Sequence, residues 1–193
     1  MDNDFIMVDS IRKTLTLKEF LELPETKPAR EYINGQIVTK PMPRGKHSII
    51  QGTLVTALNN ALKPPKIGLA LPELRCTFGN RSIVPDLAVF SWNRIPVDNE
   101  GDIANVFDSY PDLTIEILSP GQNQTIVTGN ILHCLNYGSS YGWSIDPETR
   151  SVLVYPSNKQ PQLLQFESDV ITVPSIFNDF QLTVGELFSW LKI

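Results

Sequence analysis

One stretch of ten residues restricts the possible folds of this chain more than any other. SIVPDLAVFS, residues 82–91, is apolar apart from its terminal serines and one acid, Asp86. An extended strand would place its residues on two faces, namely Ile83, Pro85, Leu87 and Val89 on one, and Val84, Asp86, Ala88 and Phe90 on the other. Because both faces are apolar, the pattern indicates a central strand covered on both sides. An ionised carboxylate in that position needs a partner or a bound cation.

A second acid, Glu116, has similar surroundings. It lies in DLTIEILSP, residues 112–120, another run with the composition of a buried strand. If the two strands are neighbours, Asp86 and Glu116 converge on one point. Two close carboxylates do not both ionise cheaply, so either one stays protonated or a divalent cation neutralises the pair.

Such a pair of acids predicts a metal site. Carboxylate oxygens suit Mg²⁺, Mn²⁺ or Ca²⁺, and the backbone carbonyl of Ile117 could add a ligand. The expected chemistry is metal-assisted hydrolysis, in which the cation activates water and stabilises charge on a phosphoryl group. The alternative for each acid alone is a structural role as partner of an arginine, a cap or a turn. Two acids in matching contexts favour the metal site.

Four segments predict helices. Thr16 with Glu19 forms a capping box at the start of TLKEFLELPE. GKHSIIQGTLVTALNNALK has apolar residues at helical spacing over about five turns and ends at Pro64. TIVTGNILHCLNYG ends at Gly138, a C-cap residue, and VGELFSWL is amphipathic.

Two turns predict β-hairpins, and residues 92–111 read as a long polar loop. Asn34-Gly35 separates two β-prone runs, which is a strong hairpin signal. The second turn comprises residues 146–149. With strands alternating with helices and no convincing linker, we expect one α/β domain over residues 1–193.

Composition excludes several classes of function. The net charge of −5 gives no global basic field for nucleic acid or an anionic membrane, so any DNA contact needs a local basic patch or a metal. No run is long enough to span a bilayer. The first residues do not resemble a signal peptide, and Cys76 and Cys134 have no metal-type spacing, so we expect a cytoplasmic protein with two reduced thiols.

Several segments together resemble a known family. VPDLAVF, then PDLTIEILSP and GWSIDPETRSVLVY, preceded by EYINGQIV and by His47 early in a helix, resemble the Uma-two family of restriction-type endonucleases. That family belongs to the PD-(D/E)xK nuclease superfamily. The resemblance implies a restriction-endonuclease-like α/β core, with a mixed central β-sheet flanked by helices and extra β-hairpins. It further implies a Mg²⁺ or Mn²⁺ site, DNA as substrate and a homodimer.

The resemblance also assigns candidate site residues. It implies Asp86 and Glu116 as catalytic metal ligands, with Ile117 contributing its carbonyl, and Glu31 and His47 as further catalytic residues. From the residues alone, Glu31 could equally be a surface acid at the start of a hairpin strand. His47 shares a helical side with Ile50 and Leu54, so it could be a hydrogen-bonded histidine at the edge of the core.

The chain departs from the superfamily pattern at its lysine. The position two residues after Glu116 is Leu118, and alignment with the Uma-two helix places Asn130 where a lysine is expected. Residues 119–141 contain no Lys or Arg at all. Asn cannot act as a base, and loss of such a group commonly lowers rates by about 10²–10⁴. His133, nearly one turn further along the helix, is the nearby candidate substitute, and Asn130 could also be an inconsequential surface residue.

Three hypotheses therefore stay open. The first is a divalent-metal-dependent endonuclease cleaving DNA, with activity impaired by the missing lysine. The second is a degenerate member of the fold that binds DNA or regulates a partner without catalysis. The third is a structural domain that self-associates. Retention of both buried acids favours the nuclease, since buried charges are easily replaced when nothing requires them.

Overall fold

The computed structural model describes residues 15–193, which form four α-helices and ten β-strands. The helices are α1 Leu17–Leu21, α2 Gly45–Leu62, α3 Gln124–Tyr137 and α4 Val184–Ser189. The strands are β1 Arg30–Ile33, β2 Gln36–Thr39, β3 Gly68–Pro72, β4 Cys76–Phe78, β5 Arg81–Ile83, β6 Leu87–Ser91, β7 Leu113–Ile117, β8 Tyr141–Asp146, β9 Ser151–Pro156 and β10 Gln162–Leu164. The expectation of one domain over residues 1–193 stays a prediction, and residues 1–14 lie outside the described part.

A six-stranded mixed sheet forms the centre, in the order β10-β9-β8-β7-β6-β3. Only β7 and β8 are parallel, and α3 makes the crossover that a parallel pair requires; the other neighbours are antiparallel. A second sheet, antiparallel in the order β2-β1-β5-β4, lies beside it. The predicted mixed sheet with flanking helices and extra hairpins is confirmed.

The central sheet is covered on both faces. Leu87 and Val89 of β6 belong to the large core that includes α2 and α4, whereas Ala88 and Phe90 belong to a second cluster with Cys134 of α3. The alternation in SIVPDLAVFS therefore does separate two buried faces. Cys76 and Cys134 are both buried free thiols, as expected.

SIVPDLAVFS is nevertheless not one strand. β5 ends at Ile83, β6 begins at Leu87, and the two strands belong to different sheets. Pro85 lies in the break, where it has no N–H to donate to a ladder. Asp86 is consequently the last residue before a central strand, and remains only 2% exposed.

The local signals in the sequence correspond to the observed elements. Thr16 and Glu19 form the capping box of α1, and Gly138 caps α3 with φ 121°. Asn34 and Gly35 have φ of 51° and 83°, as a tight turn between antiparallel strands requires. None of the helices within residues 15–193 is long and apolar enough to cross a membrane.

Candidate active site

Asp86 and Glu116 meet at the edge where β6 begins beside β7. The strand register pairs Leu87 with Ile115, so the next position brings Asp86 opposite Glu116. Asp86 Oδ2 accepts a 2.7 Å hydrogen bond from the backbone N–H of Ile117. Both acids are buried, with Glu116 only 1% exposed. The condition for the two acids to converge, that their chain segments are neighbours, is therefore met.

Lys40 joins the two acids, and the sequence analysis did not single it out. Its Nζ donates to Asp86 Oδ1 at 2.8 Å, to Glu116 Oε2 at 3.2 Å and to the carbonyl of Val84 at 2.7 Å. These three contacts account for the three protons of an ammonium group. Lys40 therefore compensates charge between two buried carboxylates.

The first hairpin explains how Lys40 reaches this position. β1 and β2 pair with Glu31 opposite Val38 and Arg30 opposite Thr39, and the backbone N–H of Lys40 continues the pairing to the carbonyl of Ala29 at 2.9 Å. Because β1 also pairs with β5, the hairpin lies against the residues that lead to Asp86. In the sequence, the only signal for Lys40 is its position directly after a hairpin strand. That position does not distinguish Lys40 from a surface cation.

Glu31 belongs to the same cluster. It is 2% exposed, so the alternative of a surface acid is wrong. Its Oε1 accepts a 2.8 Å hydrogen bond from the backbone N–H of Val84, and its Oε2 accepts one of 3.0 Å from Nδ2 of Asn130. Asn130 is itself buried, so it is not an inconsequential surface residue.

His47 lies near Asp86 at the start of α2. Its Nε2 is 3.6 Å from Asp86 Oδ1, and its Nδ1 is 3.2 Å from Oγ of Ser119. Gln51, one turn further along α2, donates a 3.0 Å hydrogen bond from Nε2 to the backbone carbonyl of Asp86. The helix thus holds the main chain of Asp86 and brings an imidazole near its side chain.

His133 and Leu118 pack elsewhere in the structure and not against Asp86 or Glu116. The ring of His133 stacks on Phe78, with centroids 4.7 Å apart, and its Nε2 is 3.1 Å from the carbonyl oxygen of Phe78. Leu118 packs against the small apolar cluster around Ile131. The hypothesis that His133 substitutes for the missing lysine is therefore wrong, because the ring of His133 packs α3 against β4.

The electrostatics of the cluster follow from burial and close charges. Burial raises the pKa of Glu116 to about 8, opposed by Lys40 and reinforced by the charges of Asp86 and Glu31. Burial alone would lower the pKa of Lys40, but the charges of Glu116, Asp86 and Glu31 outweigh it and hold that pKa above its ordinary value. Burial lowers the pKa of His47, although the charge of Asp86 opposes the shift. Near neutral pH the lysine is therefore cationic and the imidazole is largely neutral.

The oxygen atoms at this site are of the kind that a hard divalent cation prefers, and the protein would supply only a few of its ligands. No group of three or more Cys, His, Asp or Glu side chains within residues 15–193 is arranged to hold a metal. The two carboxylates of Asp86 and Glu116 are instead joined by the ammonium of Lys40. Glu116 Oε1 is buried and has no hydrogen-bond partner among the described residues, which is costly for a carboxylate unless it is protonated or a cation binds there. Water would complete the shell of Mg²⁺, which usually keeps several waters.

A cavity of about 300 Å³ opens in front of the cluster. Lys40, His47 and Asp86 line it, whereas Glu31 and Glu116 lie behind them. Arg75 also lines the cavity, but its guanidinium is held by two 2.8 Å hydrogen bonds to the carboxylate of Glu25. A ligand in this cavity can reach the ammonium of Lys40 and the imidazole of His47.

A known protein family matches most of the chain. The profile of the Uma-two (Uma2) family, described as "Putative restriction endonuclease", matches residues 17–185. The chain belongs to this family. The match spans all the clustered side chains described above, from Glu31 to Asn130.

A solved structure extends the comparison. The chain is similar to a protein whose crystal structure is described as that of "a putative nuclease belonging to DUF820 from Anabaena variabilis ATCC 29413". The two are 52% identical, with a TM-score of 0.90, over 92% of this chain and 99% of the other. None of the curated proteins compared with the chain matches it. The family and the solved structure both indicate a nuclease, and the restriction-endonuclease-like fold is confirmed.

Proposed function

We propose that the protein is a divalent-metal-dependent endonuclease that hydrolyses phosphodiester bonds in DNA. The observation that supports this most directly is the buried pair Asp86 and Glu116, which face each other where β6 begins beside β7, with Asp86 in the wall of the cavity. Carboxylates buried to this extent are retained at a cost, which a cation bound between them would offset.

Mg²⁺ or Mn²⁺ would be held by Asp86, Glu116 and the backbone carbonyl of Ile117. When bound, the cation supplies Lewis-acid stabilisation of the charge on the phosphoryl group and lowers the pKa of water. Glu31 accepts hydrogen bonds from the backbone N–H of Val84 and from Asn130, so we assign it the role of positioning the chain before Asp86. His47, largely neutral and in the cavity wall, can accept a proton or donate to a phosphate oxygen.

The reaction consumes one water for each bond cut. The water oxygen forms a new bond to phosphorus, the bond from phosphorus to one deoxyribose oxygen breaks, and a proton from the water ends on that leaving oxygen. The products are a phosphomonoester and a hydroxyl. To cut both strands of a duplex at once, two such sites are needed, and a symmetric homodimer would provide them.

Cleavage of supercoiled plasmid in Mg²⁺ and in Mn²⁺ tests the proposal. We expect wild type to nick or linearise the plasmid, with no cleavage in EDTA. Asp86→Asn, purified in parallel, should show no cleavage because the ligand charge is lost. Glu100→Gln removes an exposed carboxylate from the loop before β7 and should cleave at the wild-type rate. Cleavage by Asp86→Asn equal to wild type would contradict the proposal.

The second candidate is a DNA-binding or regulatory protein that keeps the fold without catalysis. The neutral side chain at position 130, where the family resemblance implies a lysine, favours it, as does the net charge of −5. A gel-shift titration with the same DNA separates the two candidates. Retardation by wild type together with an absence of cleavage in either metal would select the non-catalytic function.

A further inference from the structure

We infer that Lys40 is a catalytic residue of this site, supplying the cation that faces the scissile phosphate and holds the attacking water. The inference rests on the proposed hydrolytic function and names a residue for it. Lys40 comes from the end of a hairpin strand, whereas the family resemblance implies a lysine on α3, where this chain has Asn130.

Position is the first argument. Lys40 Nζ contacts one oxygen of each central acid, at 2.8 Å for Asp86 and 3.2 Å for Glu116. It also lines the cavity through which a phosphate would approach, and its side chain is 14% exposed. A group that touches both acids and faces the cavity lies where the phosphate and the water must meet.

The second argument concerns the other side chains that could supply a positive charge near the site. Arg75 is engaged by Glu25, and Lys46 pairs with Glu148 at 3.0 Å on the exposed surface. Lys27 also lines the cavity, but its side chain is exposed. Asn130, which replaces the expected lysine, donates its amide to Glu31 and carries no charge. Among the described residues, Lys40 is the cation that contacts both Asp86 and Glu116.

The contacts of Lys40 define what it can do. All three partners of its Nζ are acceptor oxygens, so the group acts there as a hydrogen-bond donor. A fixed ammonium stabilises charge that develops on phosphate oxygens and orients water through its protons. Its longest contact, to Glu116, is the one that water or a phosphate oxygen displaces most easily.

The experiment compares Lys40→Met with wild type in single-turnover cleavage at saturating Mn²⁺, alongside Mn²⁺ titration by calorimetry. We expect the cleavage rate to fall by about 10²–10³, as for loss of one charge-stabilising donor. The Mn²⁺ dissociation constant should stay the same or decrease, because removing an ammonium from between two carboxylates does not weaken a cation site. Lys63→Met, at the exposed C-terminal end of α2, controls for loss of a lysine and should cleave like wild type.

The double variant Lys40→Met with Asn130→Lys keeps the charge of the cluster but moves it to α3. A lysine at position 130 starts beside Glu31, so we expect at least a tenfold recovery over Lys40→Met. This variant also keeps the experiment informative if Lys40→Met folds poorly for lack of charge compensation.

Two results would overturn the assignment while leaving the proposed function intact. One is cleavage by Lys40→Met within threefold of wild type. The other is a loss of cleavage matched by a parallel loss of Mn²⁺ binding, which would make Lys40 a structural part of the pocket. By contrast, absence of cleavage by wild type and by Asn130→Lys alike would overturn the proposed function itself.

Discussion

Asn130 on α3 donates a 3.0 Å hydrogen bond from Nδ2 to Oε2 of Glu31 on β1, joining residues 99 positions apart. The other oxygen of Glu31 accepts from the N–H of Val84, two residues before Asp86. Helix α3, the first hairpin and the segment leading to Asp86 are thus linked through one buried carboxylate. Asn130 positions Glu31 by a hydrogen bond, and Glu31 in turn positions the backbone that leads to Asp86.

Removing this amide is expected to destabilise the protein. Asn130→Ala leaves Glu31 Oε2 buried without its donor, which should lower the free energy of unfolding by about 1–3 kcal/mol. Asn130→Asp should lower it further, because it places a second carboxylate against Glu31. Urea denaturation of the metal-free protein measures both. Asn136→Ala, at an exposed position of the same helix, is the control and should stay within about 0.5 kcal/mol of wild type; an equal effect at the two positions would contradict the structural role of Asn130.

Metal binding is expected to stabilise the wild-type protein through Asp86. A cation that binds only the folded state adds about 2.7 kcal/mol when its free concentration is 100 times the dissociation constant. Thermal unfolding with Mn²⁺ should therefore show a rise in Tm that EDTA reverses. Asp86→Asn should show no rise, measured against its own Tm without metal. The same rise in Asp86→Asn would place the bound metal elsewhere.

Acid should destabilise the protein in part through His133. Burial lowers the pKa of this imidazole below its ordinary 6.5, reinforced by Arg81 and opposed by the bond to Phe78. A lowered folded-state pKa gives stability that is present above the unfolded pKa of 6.5 and is lost as the pH falls through the folded value. His133→Gln keeps an N–H donor for the Phe78 carbonyl but does not titrate. Its free energy of unfolding should fall less than that of wild type between pH 7.5 and pH 5, whereas equal losses would contradict this role; His47, whose pKa is also lowered, contributes in the same direction in both proteins.

Gly142 is expected to tolerate no side chain. A Cβ at this position of β8 would lie 2.3 Å from Cγ2 of Ile131 and 3.3 Å from Cγ2 of Thr114, so Gly142→Ala forces α3 away from the sheet. Overpacking of this kind costs about 1–3 kcal/mol. Since α3 carries Asn130, cleavage should fall along with stability.

Gly129→Ala provides the matched control on α3. A Cβ there has nothing within 4 Å, so the change should stabilise the helix by about 0.5–1 kcal/mol. Urea denaturation of the two alanine variants beside wild type gives both values. Destabilisation by Gly129→Ala, or none by Gly142→Ala, would show that the contact between α3 and β8 is looser than the structure describes.

The sequence alone determined the features that depend on short-range geometry. Helices α2 and α3 follow from apolar spacing and from their stop signals, and the first hairpin follows from Asn34-Gly35, since only a few residue types adopt positive φ readily. The two buried acids were also recognisable, because a charged residue within an apolar run is anomalous wherever the strand lies. These signals depend on neighbours along the chain, which the sequence displays directly.

The tertiary structure decided which distant groups share the site. Lys40 and Asp86 are 46 residues apart, and nothing near Lys40 in the sequence shows that the hairpin will lie against the segment before β6. The break at Pro85, which divides SIVPDLAVFS between two sheets, likewise depends on how the sheets pack. Contacts of this kind arise from strand pairing and helix docking across long loops, whose geometry is set by the whole core and not by any local pattern. For that reason the sequence showed Asn130 on α3 where the family resemblance implies a lysine, and only the fold showed that Lys40, directly after β2, contacts both acids.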